Sequence, residues 1–240
     1  MKILALDTAL NACSAAVMDG PNLLGHFHEE RARGHAETLL PELKTLLNGI
    51  QMRFEDLDLI AVSVGPGTFT GLRIGLAAAR GIALAASIPC IGITTLEALA
   101  ASVSQEKAGS RSIVIATDAR RKEVYLQTFI YNGSGQYPVP TQEALAVPIE
   151  SAEKHLPSSP FVILGSGTDL LLNAGKIDAD KSEILDLDSN PDARVIATLA
   201  LARGVPLTGN PPPAPVYLRS PDAKLPGGKD LIPTLNNQSQ

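Results

Sequence analysis

Tryptophan is absent from this chain and aromatic residues make up only 4% of it, so the core has to rest on Ala, Leu, Val and Ile. Acidic residues exceed basic ones by five, and a net charge of −5 argues against a broad nucleic-acid-binding face. The one local basic cluster, Arg120-Arg121-Lys122, reads as a solvated turn. Two cysteines, Cys13 and Cys90, cannot make a disulfide framework, and their apolar neighbours mark them as buried thiols. The longest weakly polar run, around residues 76–90, is interrupted by Arg80 and Pro89 and does not read as membrane-spanning. The chain opens as a strand from Ile3 rather than as a signal peptide, so a soluble, cytoplasmic protein is expected. What is present is ample apolar material: 45% of 240 residues is enough for one bilobal unit or two small domains.

The most informative stretch runs from Ala61 to Leu76. A short apolar run breaks at Gly65-Pro66-Gly67 and resumes as a small-residue helix to about Ser87. Such a turn can gather backbone N–H groups around an anion. The phosphate motifs nevertheless fail letter by letter. Thr70 stands where the dinucleotide fingerprint needs its third glycine, and Leu72-Arg73 where the P-loop needs Gly-Lys. A tight turn capped by Thr68 or Thr70 is the local reading. Gly71, Gly75, Ala79 and Ala83 recur every fourth residue and form a nearly bare stripe. Two glycines inside a helix cost about 1 kcal/mol each, which makes sense if another backbone approaches closely. That backbone belongs either to the chain's own sheet or to a partner's helix.

In order, strands are predicted over residues 1–6, 13–18 and 23–30, and a helix over 34–48 with Gly49 at its C′ position. Leu39, Leu43, Leu46 and Ile50 share one face of that helix, flanked by Leu40 and Leu47, and Pro41 predicts a kink or a late start. Strands follow at 57–64 and 90–93, then a capping box of Thr94 and Glu97 opening a helix over 96–102. Residues 105–110 are polar and mark a lobe boundary. Beyond it the opening repeats: Ile113-Val114-Ile115-Ala116-Thr117-Asp118 mirrors Ile3-Leu4-Ala5-Leu6-Asp7, and 124–131 mirrors 13–18, suggesting an internal duplication. A strand at 161–164, helices at 168–173 and 191–203, a stiff Pro211-Pro212-Pro213 connector, a docking segment at 215–219 and a loose tail at 221–240 complete the chain. The expected division is 1–105, 106–214 and 215–240.

Several of these segments together resemble the bacterial TsaB (YeaZ) family. They are Ile3 to Thr8, His35-Ala36-Glu37-Thr38-Leu39-Leu40-Pro41, Gly65 through Gly75, Asp118 through Tyr125, and Tyr217-Leu218-Arg219. The resemblance spans residues 1 to about 220 and implies an α/β, two-lobed fold of the actin/hexokinase/Hsp70 (ASKHA) type with duplicated ribonuclease-H-like lobes. It implies a non-catalytic subunit needed for threonylcarbamoyl (t6A) modification of adenosine 37 in tRNAs reading codons that begin with A. The partner would be a TsaD-like catalytic paralogue, joined by a small TsaE-like ATPase, with tRNA touched only through the complex. Alone, the chain is expected to form a homodimer and to bind no cofactor, any ATP or ADP lying at the interface with the partner.

The paralogue's metal-binding histidine pair falls here on Thr95 and Leu99, and an isobutyl group cannot ligate a metal. His26, His28, His35 and His155 do not rebuild the pair and read as surface or packing residues, so no metal site and no catalytic residue is expected. The resemblance places partner contact on the first two helices, hence on Leu39, Leu43, Leu46, Leu47, Gly71, Leu72, Gly75, Leu76, Ala79 and Ala83. Gly75→Leu is then expected to block assembly and leave the monomer folded. Competing readings are a glycoprotease-type metallopeptidase, a kinase of the same fold using Asp7 and Asp118, and a nucleotide-sensing module in which Asp7 and Thr8 lie beside the nucleotide.

Overall fold

The computed structural model describes residues 1–219 except 134, 179 and 208, so the tail expected at 221–240 lies outside the described residues. The first five strands are β1 (Lys2–Asp7), β2 (Ala12–Asp19), β3 (Asn22–Glu30), β4 (Leu59–Ser63) and β5 (Cys90–Ile93). Between them run α1 (His35–Gly49) and α2 (Phe69–Ala86), and β5 is followed by α3 (Thr95–Ala101) and α4 (Gln105–Ala108). The second half holds β6 (Ser112–Asp118), β7 (Glu123–Ile130), β8 (Val139–Pro140), β9 (Leu145–Pro148), β10 (Phe161–Leu164), α5 (Thr168–Asn173), β11 (Ser182–Ile184) and α6 (Ala193–Arg203).

The duplication is real in the topology. The first sheet has the order β3-β2-β1-β4-β5, with β2 antiparallel to β1 and β4 parallel to it. The second, read from its β8 edge, repeats it as β8-β7-β6-β10-β11, with β7 antiparallel to β6 and β10 parallel to it. Two ribonuclease-H-like lobes of this order, end to end, make the two-lobed actin/hexokinase/Hsp70-type fold.

Both faces of β1 are covered, which is why it reads as an unbroken apolar run. Leu4 and Leu6 pack under α1 and α2, whereas Ile3 and Ala5 pack under Ile196, Ala197 and Ala200 of α6. The helices cross between halves. α3, from the first half, lays Leu96, Leu99 and Ala100 on Ile113, Ile115 and Phe129 of the second sheet, while α6, from the second, covers the first.

The sequence reading does not anticipate β8, β9, β11 or α4, and local signals differ at three further points. Gly49 is the last residue of α1, and Ile50 is the cap. Only half of the capping box forms: Thr94 Oγ1 accepts the Glu97 N–H, but the Glu97 carboxylate pairs with Arg203. Cys13 is fully buried, whereas Cys90 is only half-buried because it lies at the sheet edge. Burial still raises both thiols, Cys13 to about 11 and Cys90 to about 12, so neither is poised to react.

Candidate partner-binding face and interlobe cleft

Thr68 caps α2 by accepting the Gly71 N–H at 3.2 Å, and the bare stripe that follows meets this chain's own Thr8, just past β1, and Val62 of β4. The Thr8 hydroxyl donates to the Gly71 carbonyl at 2.7 Å. A Cβ on Gly71 would fall 2.0 Å from the Thr8 carbonyl oxygen, and one on Gly75 would fall 2.6 Å from Thr8 Oγ1. This corrects the predicted partner surface. Leu39, Leu43, Leu47, Gly71, Leu72, Gly75, Leu76, Ala79 and Ala83 are buried inside the monomer, and Leu46 is half-buried against the same core. Spacing alone shows that something packs closely on the stripe and cannot say what. Gly75→Leu would therefore disrupt the monomer itself.

The opposite side of α2 mixes apolar residues with two exposed arginines, Arg73 and Arg80. Ile74, Ala77, Ala78, Gly81 and Leu84 fall on one helical face. Leu84 is 83% exposed, and a Cβ on Gly81 would meet nothing within 4 Å. By length and composition α2 could cross a membrane, but its inner face is packed on the sheet. Where the helix begins, exposed Phe69 stacks on Tyr217 with ring centroids 5.8 Å apart, and Arg73 lies 3.6 Å over the Phe69 ring.

Asp7 and Thr8, expected beside a nucleotide, are both fully buried and offer no surface. Thr8 is committed to Gly71, and burial pushes the Asp7 carboxyl up to about 7. The cleft between the lobes, about 280 Å³, is lined instead by Asn11, Thr68, Asp118, Arg120, Tyr125 and Ser166. Asp118 is held by the Arg120 N–H at 2.7 Å and the Arg120 guanidinium at 3.0 Å, and its own N–H donates to Ser166 Oγ.

Arg120, Arg121 and Lys122 form the exposed turn expected of them, with an unusual backbone. All three are left-handed, with φ of 62°, 53° and 61°, a conformation L-residues adopt at a cost. Arg219 steadies the turn by donating to the Ala119 carbonyl at 3.1 Å and pairing with Glu123. The segment carrying Arg219 does dock, and on both lobes, since the Val216 N–H donates to the Val64 carbonyl at 2.7 Å. Sequence reading missed the Arg219–Glu123 pair because 96 residues separate them.

Thr95 is fully buried, and Leu99 sits in the core between α3 and the second sheet. His35 is buried at the start of α1, where its Nε2 lies 3.1 Å from the Leu10 carbonyl. His28 is followed in sequence by Glu29 and Glu30, yet the carboxylates that the fold brings to the two rings are others: Asp192 lies 3.1 Å from His26 Nε2 and Asp188 lies 2.9 Å from His28 Nε2.

The family model described as TsaD, tRNA N6-adenosine threonylcarbamoyltransferase, matches residues 24–164. The chain is similar to the tRNA threonylcarbamoyladenosine biosynthesis protein TsaB of Escherichia coli, 35% identical over 234 residues covering 95% of this chain and 99% of that protein. It is similar also to the protein of that name from Bacillus subtilis, at 33% over 71% of this chain and 73% of the relative. Among solved structures, YeaZ from Pseudomonas aeruginosa superposes with a TM-score of 0.76 at 28% identity, covering 90% of this chain and 99% of that one.

Proposed function

The chain belongs to the TsaB (YeaZ) family of tRNA threonylcarbamoyladenosine biosynthesis proteins, and from that premise we propose that it is a non-catalytic subunit for threonylcarbamoylation of adenosine 37 in tRNAs reading codons that begin with A. It acts by docking the outer face of α2 on a TsaD-type catalytic subunit. The observation that carries this reading is the solvent-facing apolar strip of Ala77, Gly81 and Leu84 on α2, with half-buried Ile74 and Ala78 at its edge, on a helix whose other side is packed on the sheet. Burying such a surface is worth about 25 cal/mol per Å², enough to drive pairing between two proteins. In the partner's absence the same face serves a homodimer.

The donor set supports a supporting role. Leu99 offers no ligand atom, and the Thr95 hydroxyl at the start of α3 is fully buried. A metallopeptidase would need those ligands, and a kinase would need phosphate-gripping loops where Asp118 is instead tied to Arg120. tRNA and a TsaE-type ATPase are engaged through the complex, in the cytoplasm, and a nucleotide shared with the partner would enter the cleft beside Asp118 rather than at Asp7. The test is direct. Depletion in the source cells lowers the threonylcarbamoyladenosine content of tRNA, and the purified chain catalyses no transfer until the catalytic subunit is added. Unchanged modified nucleoside on depletion overturns the pathway, and transfer by the chain alone overturns the non-catalytic role.

A further inference from the structure

β3 is the edge strand of the first sheet, and its alternation puts His26 and His28 on one face and Phe27 on the other. Phe27 packs toward α1 and α2. The histidine face looks toward α6, whose N-cap is Asp192. The loop before α6 is firmly anchored there: the Ala193 N–H donates to Ser14 Oγ at 3.0 Å, and the Asn11 N–H donates to Asn190 Oδ1 at 3.1 Å. One nitrogen of each ring and an oxygen of Asp192 lie within 4.8 Å of one another. His26 Nε2 and both nitrogens of His28 have no accessible surface and no hydrogen-bond partner among the described residues. The nearby carboxylates stand at ion-pair distance but outside hydrogen-bond geometry.

We propose that His26, His28 and Asp192 bind a divalent first-row transition ion of the zinc class, with Asp188 positioning the His28 ring. Two imidazoles and one carboxylate suit zinc, which takes nitrogen and oxygen ligands at about 2.0–2.2 Å, rather than magnesium or calcium, which prefer all-oxygen sites. The supporting shell has the usual form: the Asp192 carboxylate is gripped by Arg194 Nη2 at 2.6 Å and Nε at 3.0 Å, and Asp188 stands behind His28. Two carboxylates against one guanidinium leave the cluster negative before any ion arrives. The site would staple the edge strand β3 to the start of α6, joining elements 164 residues apart (His28 to Asp192). It is independent of the proposed partner face.

The test uses the untagged full chain, stripped with a chelator and titrated with zinc alone by calorimetry. One zinc binds per chain and raises the unfolding temperature. His26→Gln and His28→Gln each weaken binding by more than the ~10- to 100-fold expected of an outer-shell change, and Asp188→Asn weakens it within that range. If the glutamine variants unfold, cobalt-loaded wild type shows paramagnetically shifted signals from two imidazole rings. The proposal is overturned if wild type takes up no zinc, if the glutamine variants bind like wild type, if magnesium binds as tightly, or if the cobalt form shows no shifted imidazole.

Discussion

Asp7 closes β1 with a carboxyl that no solvent reaches, and burial pushes its titration up to about 7. The unfolded chain releases that proton near pH 4, so between about pH 4 and 7 the native state holds a proton the unfolded state has lost. Stability from this group is fully present below pH 4 and declines as pH rises through 7, by on the order of 4 kcal/mol across the window. Asp7→Asn should flatten the profile of unfolding temperature between pH 5 and 8. A variant that keeps the wild-type slope would show that the carboxyl titrates normally. Thr8 and the two glycines behind it form a second sealed contact. Gly71→Ala, with its Cβ 2.0 Å from the Thr8 carbonyl, should cost about 3 kcal/mol or more in urea unfolding, because the obstacle is backbone and cannot swing aside. The glycine spacing was legible as a demand for close approach. That the approaching group is residue 8 of the same chain was not, since a four-residue period records how bare a stripe is and not what lies on it.

Among the elements, the central strands announced themselves because runs such as Ile3-Leu4-Ala5-Leu6 are buried on both faces, and α1 and α2 did so through leucines and small residues at helical spacing, whereas the short outer strands β8, β9 and β11 carry too few residues to show a pattern. Contacts between distant segments were opaque. His26 and His28 find Asp192 and Asp188, and Arg219 finds Glu123, through folds of the backbone that no local pattern records. The segment at 215–219 clasps both lobes, through Val216 on Val64 and Arg219 on the left-handed turn. Arg219→Ala should cost about 1.5–3 kcal/mol in thermal unfolding, the range for hydrogen bonds to charged groups. Arg219→Lys should recover little of it, because an ammonium does not reproduce the fork that reaches a carbonyl and a carboxylate together. Full recovery by lysine would reduce the contact to simple charge.

As a whole, the molecule is two copies of one lobe that cannot be separated cleanly. The repeat of apolar strand, acidic turn and returning strand revealed the duplication, but α3 and α6 each cover the opposite half's sheet. The lobes should therefore unfold together in one calorimetric transition, with equal calorimetric and van't Hoff enthalpies. Two resolved transitions would show that the exchanged helices couple the halves weakly. The outer side of α2 stays exposed, and the proposed partner contact lies there. Gly81 faces outward with open space where a side chain would go, so Gly81→Arg should leave the monomer as stable as wild type or slightly more so. The most direct measurement is the affinity of that variant for the TsaD-type subunit, taken alongside its unfolding temperature. The account predicts an intact monomer whose binding is weakened more than ~10-fold, equivalent to over 1.4 kcal/mol. A folded Gly81→Arg chain that assembles with wild-type affinity would contradict it.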